Sequence, residues 1–88
     1  MNTITWTHSD EFCETEAHMD RSQERYGDFA STHEALGVAI EEWTELIGAI
    51  QANKLESVRD EAIDLAAVLL RLAGQCRRSE SLQKRSVK

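Results

Sequence analysis

The sequence predicts an all-α protein: a three-helix protomer with a helix 2–helix 3 hairpin, made into a four-helix bundle by oligomerisation. Three observations predict it. The 88 residues contain no proline and only four glycines, so little in the chain interrupts a helix. No stretch alternates apolar and polar residues between turn pairs, as a half-buried strand would. Apolar residues recur instead at spacings of three and four, the repeat of a helix face. A single domain of this length buries only roughly 60–65% of its unfolded surface. Part of the core is therefore expected from another subunit, as a homodimer or a tetramer.

After a short lead, Met1 to Thr7, the first helix is expected from Ser9 as N-cap to Tyr26, ending at Gly27. Its apolar side chains are few: Phe12, Cys13, Ala17 and Met19. Ser31-Thr32-His33-Glu34 fits a capping box and opens the second helix, which runs to Gln51. Its main apolar stripe is Leu36, Ile40, Trp43, Ile47 and Ile50, with Val38, Ala39, Leu46 and Ala49 at the side. Trp43 on that stripe reads as a core or subunit-interface anchor. Asn53-Lys54 makes the turn. The third helix runs from Leu55 to Arg78 with a seam of Leu55, Val58, Ala62, Leu65, Leu69, Leu72 and Cys76. Ile63, Ala66, Leu70 and Ala73 form a second row. One helical domain is thus expected over residues 1–78, followed by a basic, disordered tail over 79–88.

Charge divides the chain unevenly. Ten basic and 16 acidic residues give a net charge of −6. Up to Asp64 there are 4 basic and 15 acidic residues; beyond it, 6 basic and one acidic. An acidic body argues against general nucleic-acid binding, which relies on lysine and arginine neutralising phosphates. No apolar run is long enough to span a membrane, and no signal-peptide pattern opens the chain. Two cysteines, Cys13 and Cys76, are a poor disulfide framework and lead to the expectation of a reduced, cytoplasmic protein.

The acids are the informative residues. At about 100° per residue, Glu42 falls between Ala49 and Leu46, and Glu61 between Val68 and Leu72, each inside an apolar sector. Glu45 and Asp64 lie one turn along from these, on the same sides of their helices. A carboxylate in apolar surroundings needs a replacement for lost hydration or must stay protonated. Bases are scarce in the body of the chain. In an antiparallel hairpin the pairs Glu42/Glu45 and Glu61/Asp64 face each other, and a hard divalent cation would relieve their repulsion. Mg²⁺ suits carboxylate oxygens, water and substrate phosphates, with Mn²⁺ as the substitute.

Glu41-Glu42-Trp43-Thr44-Glu45 and, after fifteen intervening residues, Glu61-Ala62-Ile63-Asp64 match the EExxE…ExxD signature of the MazG-like all-α nucleoside triphosphate pyrophosphohydrolases. The resemblance covers roughly Arg25 to Gly74 and includes Arg25-Tyr26-Gly27, similar to a basic-aromatic-glycine stretch in small phage-type members. It implies a Mg²⁺-dependent hydrolase that cuts between the α and β phosphates, releasing a nucleoside monophosphate and pyrophosphate, in a nucleotide-pool-cleaning role. It assigns Glu42, Glu45, Glu61 and Asp64 as metal ligands, with Glu45 also orienting the attacking water as the catalytic residue. Many members carry a further helix after the ExxD helix, whereas 24 residues follow Asp64 here. The nucleotide pocket is then expected in part from a second subunit.

Substrate-contact candidates are Lys54 and Arg71 for phosphates, His18 for a base or ribose, and Trp6 for stacking. The competing reading is a non-catalytic helical interaction or regulatory module whose acid cluster binds a cation or a basic partner. An antitoxin-like or phage accessory protein is a third.

Overall fold

The structure, a computed structural model, describes residues 3 and 5–86, with side chains through Ser79. Helix dominates, and the described residues contain no strand. A single 3-10 turn at Trp6–His8 precedes three α-helices: α1 (Asp10–Tyr26), α2 (Thr32–Gln51) and α3 (Leu55–Ser86). The third helix continues past Arg78, where the sequence reading ended it.

Each boundary has a local cause. Ser9 Oγ accepts the Phe12 N–H at 3.2 Å and donates to the Trp6 carbonyl at 2.8 Å, which fixes the start of α1. Gly27 ends that helix at φ 71°, ψ −161°, backbone open to glycine and strained for other residues. Ser31 Oγ accepts the Glu34 N–H at 3.1 Å, while Glu34 Oε1 accepts the Ala30 N–H at 3.0 Å. The expected capping box therefore forms, with its carboxylate reaching one residue beyond the cap. Between α2 and α3, Asn53 takes φ 56° and the Lys54 N–H donates to the Ala49 carbonyl at 3.2 Å. This is a Schellman turn with asparagine in the left-handed position. The Lys54 carbonyl then accepts the Val58 N–H at 2.9 Å and starts α3.

Helix α3 is the central strut. Both α1 and α2 pack on it, and they make no close backbone approach to each other. Among the described residues the buried apolar ones are Phe29, Ala35, Leu46, Ala49, Ala67 and Val68, joined by partly buried Val38, Ala39 and Leu72. On α2 the row expected at the side is thus the one that meets α3. The main stripe faces outward, with Leu36, Ile40, Trp43, Ile47 and Ile50 between 37 and 55% exposed. Small residues explain the choice: Ala35, Ala39 and Ala49 let α2 approach α3 closely. Leu55 and Leu69 of the expected α3 seam, and Leu70 of its second row, are exposed as well. The Cα radius of gyration is 15.5 Å, against about 12 Å for a compact chain of this length.

Helix α1 has one buried residue, Thr15, whose hydroxyl donates to the Glu11 carbonyl at 2.7 Å. Polar ties supplement its limited apolar packing. Arg59 grips the Glu14 carboxylate with two hydrogen bonds of 2.8 and 2.9 Å. Farther along α3, Gln75 both accepts from the Phe29 N–H at 2.9 Å and donates to the Phe29 carbonyl at 2.8 Å. That amide holds the α1–α2 connection against α3. Gln75→Ala leaves two partly buried backbone groups without their partner. It is expected to lower unfolding free energy in urea titration by about 1–3 kcal/mol. A loss below about 0.5 kcal/mol, the range of ordinary surface changes, would mean that water replaces the amide fully.

Candidate metal centre

Glu42 and Glu45 come from the middle of α2 and Glu61 from the facing stretch of α3. Each of the three offers one carboxylate oxygen within 4.8 Å of the other two. Glu42 and Glu61 are half-buried, while Glu45 is exposed at the rim. Oε2 of Glu42 and Oε2 of Glu61 are sealed from solvent and receive no hydrogen bond. Burial, followed by the charges of Glu45, Asp64 and Glu61, pushes the Glu42 carboxyl up to about 7. Glu61 is also raised, by burial first and then by Glu45, which lies close enough to share a proton with it.

This arrangement suits a hard cation. Ionised carboxylates only accept, so the sealed oxygens require a proton, a donor or a metal. Oxygens held about 2.1 Å from one Mg²⁺ stand about 3.0 Å apart when adjacent and 4.2 Å when opposite. A span within 4.8 Å closes to that with a small side-chain movement. Donor type and spacing would allow Glu42, Glu45 and Glu61 to hold a hard divalent cation.

Asp64 does not join the three. Its Oδ1 lies 3.0 Å from His18 Nε2 on α1, and His18 Nδ1 lies 3.3 Å from the Ser22 hydroxyl. The expected four-acid cluster is therefore a three-acid cluster with a neighbouring aspartate held by a histidine. Asp64 remains near enough to contribute to the raised titration of Glu42 and Glu61.

A cavity of about 900 Å³ adjoins the cluster, with Glu42 in its lining. Helix α1 supplies one wall through His18, Arg21, Ser22, Arg25 and Tyr26, α2 the other through Glu34, Val38 and Glu42, and α3 contributes Val68 and Arg71. His18 lies in the lining of this cavity. Arg71 lies there too, but its guanidinium donates to the Gly27 carbonyl at 2.9 Å and to Gln23 Oε1 at 3.3 Å, 4.6 Å from the Phe29 ring centroid. Trp6 borders a separate apolar cavity of about 340 Å³ with Phe12, Ile63 and Leu70. Lys54 stands exposed at the α2–α3 turn, outside the lining of this cavity. The sequence reading missed Arg21 and Arg25 as cavity residues. Their i, i+4 spacing, with His18 one turn before, is the signal that marks that face.

The chain matches no protein-family model, and searches of curated proteins and of solved structures return no match. The functional reading accordingly stands on the acid motif and on this geometry. Among the described residues no helix is long and apolar enough to cross a membrane.

Proposed function

We propose that the protein is a Mg²⁺-dependent nucleoside triphosphate pyrophosphohydrolase of MazG-like type, releasing a nucleoside monophosphate and pyrophosphate. The observation that carries this reading is the convergence of Glu42, Glu45 and Glu61, with two sealed, partnerless oxygens, beside a cavity of nucleotide size. Glu42, Glu45 and Glu61 hold the cation, and Asp64 joins them when His18 releases it. The bound cation neutralises phosphate oxygens and lowers the pKa of a coordinated water. Glu45 is the exposed member of the cluster, so its carboxylate is the one able to orient water for attack on phosphorus. The working form is an oligomer in which the outward stripe of α2 packs against a second copy to complete a four-helix bundle.

Pyrophosphate release from a panel of standard, deoxy and modified triphosphates tests the reaction. Expected are Mg²⁺-dependent turnover and a loss of about a hundredfold or more in kcat/KM for Glu45→Gln and for Glu61→Gln. One observation favours the non-catalytic module instead: the Asp64–His18 contact leaves three acids rather than four at the cluster. Absence of pyrophosphate from every triphosphate, with Mg²⁺ still bound, would establish that second reading.

A further inference from the structure

Two arginines line the cavity without forming an ion pair. Arg21 and Arg25 stand one helical turn apart on α1, and both line it. The other α1-facing arginines are engaged: Arg59 with Glu14, Arg78 with Asp28 at 2.9 Å, and Arg71 with the Gly27 carbonyl. Among the described residues Arg21 has no ion pair or side-chain hydrogen bond, and it also borders the smaller cavity beside Asp60 and Asp64. Arg25 has only the face of Tyr26, 5.3 Å from its guanidinium. The two arginines share this space with Glu34 and Glu42 and pair with neither.

That placement defines a ligand chemistry. Guanidinium groups bind phosphate oxygens through paired, charge-assisted hydrogen bonds. The acid cluster at the Glu42 side repels an anion unless a cation intervenes, whereas the α1 wall attracts one directly. A polyphosphate chain meets both demands, with a metal ion between it and the carboxylates and arginines along its other flank. We propose that Arg21 and Arg25 are the phosphate clamp of this cavity, so that the same protomer that carries the metal-binding carboxylates also grips the polyphosphate of a nucleoside triphosphate. The choice of a nucleoside triphosphate rests on the functional reading above; the clamp itself rests on the cavity and its two uncommitted arginines. It moves the phosphate contacts from Lys54 and Arg71 to α1 and removes the need for a second subunit to supply them.

Calorimetric titration of the full chain in Mg²⁺ tests the clamp, with two probes: α,β-methylene deoxynucleoside triphosphates, which resist cleavage, and inorganic tripolyphosphate. Arg21→Gln and Arg25→Gln are each expected to weaken both probes by about tenfold or more. Arg21→Lys and Arg25→Lys should retain more of the affinity than the glutamine variants. Binding of Mn²⁺ alone, followed by electron paramagnetic resonance, should stay within about twofold of the parent, as should thermal unfolding midpoints within a few degrees, because both side chains are exposed. Glutamine variants that bind both probes as the parent does would overturn the clamp, and so would a parent that binds neither probe. Pyrophosphate release by the parent is measured separately. Turnover with unchanged probe binding in the variants would sink the clamp and leave the enzyme reading intact. Arginine-dependent probe binding without turnover would uphold the clamp and sink the enzyme reading.

Discussion

In metal-free buffer at pH 8, Glu42→Gln is expected to melt at a higher temperature than the parent protein. At pH 5 the difference should largely vanish. The folded protein holds the Glu42 proton up to about pH 7, against 4.5 for the ordinary carboxyl. A folded-state pKa above the unfolded value means that the folded form binds more protons between those two values. Stability therefore falls as pH rises through that window, and the full penalty is present above it. Screened by the solvent that still reaches this carboxyl, its size is on the order of 1–2 kcal/mol, which in a domain of this length is on the order of 10 °C in Tm. The neutral glutamine escapes it. Saturating Mg²⁺ should narrow the difference: the parent gains about 2.7 kcal/mol at a hundred times Kd, and the variant, lacking one ligand, gains less. Differential scanning fluorimetry at the two pH values, with and without Mg²⁺, reads all four states. A variant less stable than the parent at pH 8 without metal would contradict the account of Glu42 as an uncompensated carboxylate.

The second large effect is expected on association. Sedimentation velocity should find the parent at 20 kDa or a multiple of it, twice the 10.0 kDa chain or more. The double variant Ile40→Glu, Trp43→Glu should sediment as a monomer with a lower Tm. Ile40 is 53% and Trp43 51% exposed in the isolated protomer, at the middle of the outward α2 stripe. Covering each half-exposed side chain of that stripe is worth about 1 kcal/mol, so two facing copies gain on the order of 10 kcal/mol before the cost of association. Two glutamates per copy remove the central apolar contacts and set like charges face to face. A parent that sediments as a monomer would remove the four-helix bundle from the account.

The parts of the fold legible in the sequence are those with local causes. Ser9, Gly27, Ser31 and the Asn53-Lys54 turn each act on backbone groups within five residues, and each stands where its residue type placed it. The face that α2 turns inward was not legible. Five large apolar side chains read as the natural core stripe, yet the alanine-rich row packs on α3 because it permits the closer approach. The same division runs through the acids. Glu42, Glu45 and Glu61 lie on one short hairpin, so helical phase alone brings them together. Asp64 depends on the register of α1 against α3, which places His18 within 3.0 Å of it. Nothing in the weak apolar pattern of α1 specifies that register, since its alignment comes from ties such as Arg59–Glu14 and Gln75–Phe29.

The absence of close backbone contact between α1 and α2 gives the two sides of the cavity separate mechanical origins. The carboxylates stand on a hairpin braced by its own capped turn. The arginines stand on a neighbouring arm, held at one end by Arg59 and at the other by the Gln75 amide and Arg71. Tilting that arm about its anchors changes the width of the cleft without altering the spacing of Glu42, Glu45 and Glu61. The width of the cleft is thereby decoupled from the geometry of the three carboxylates.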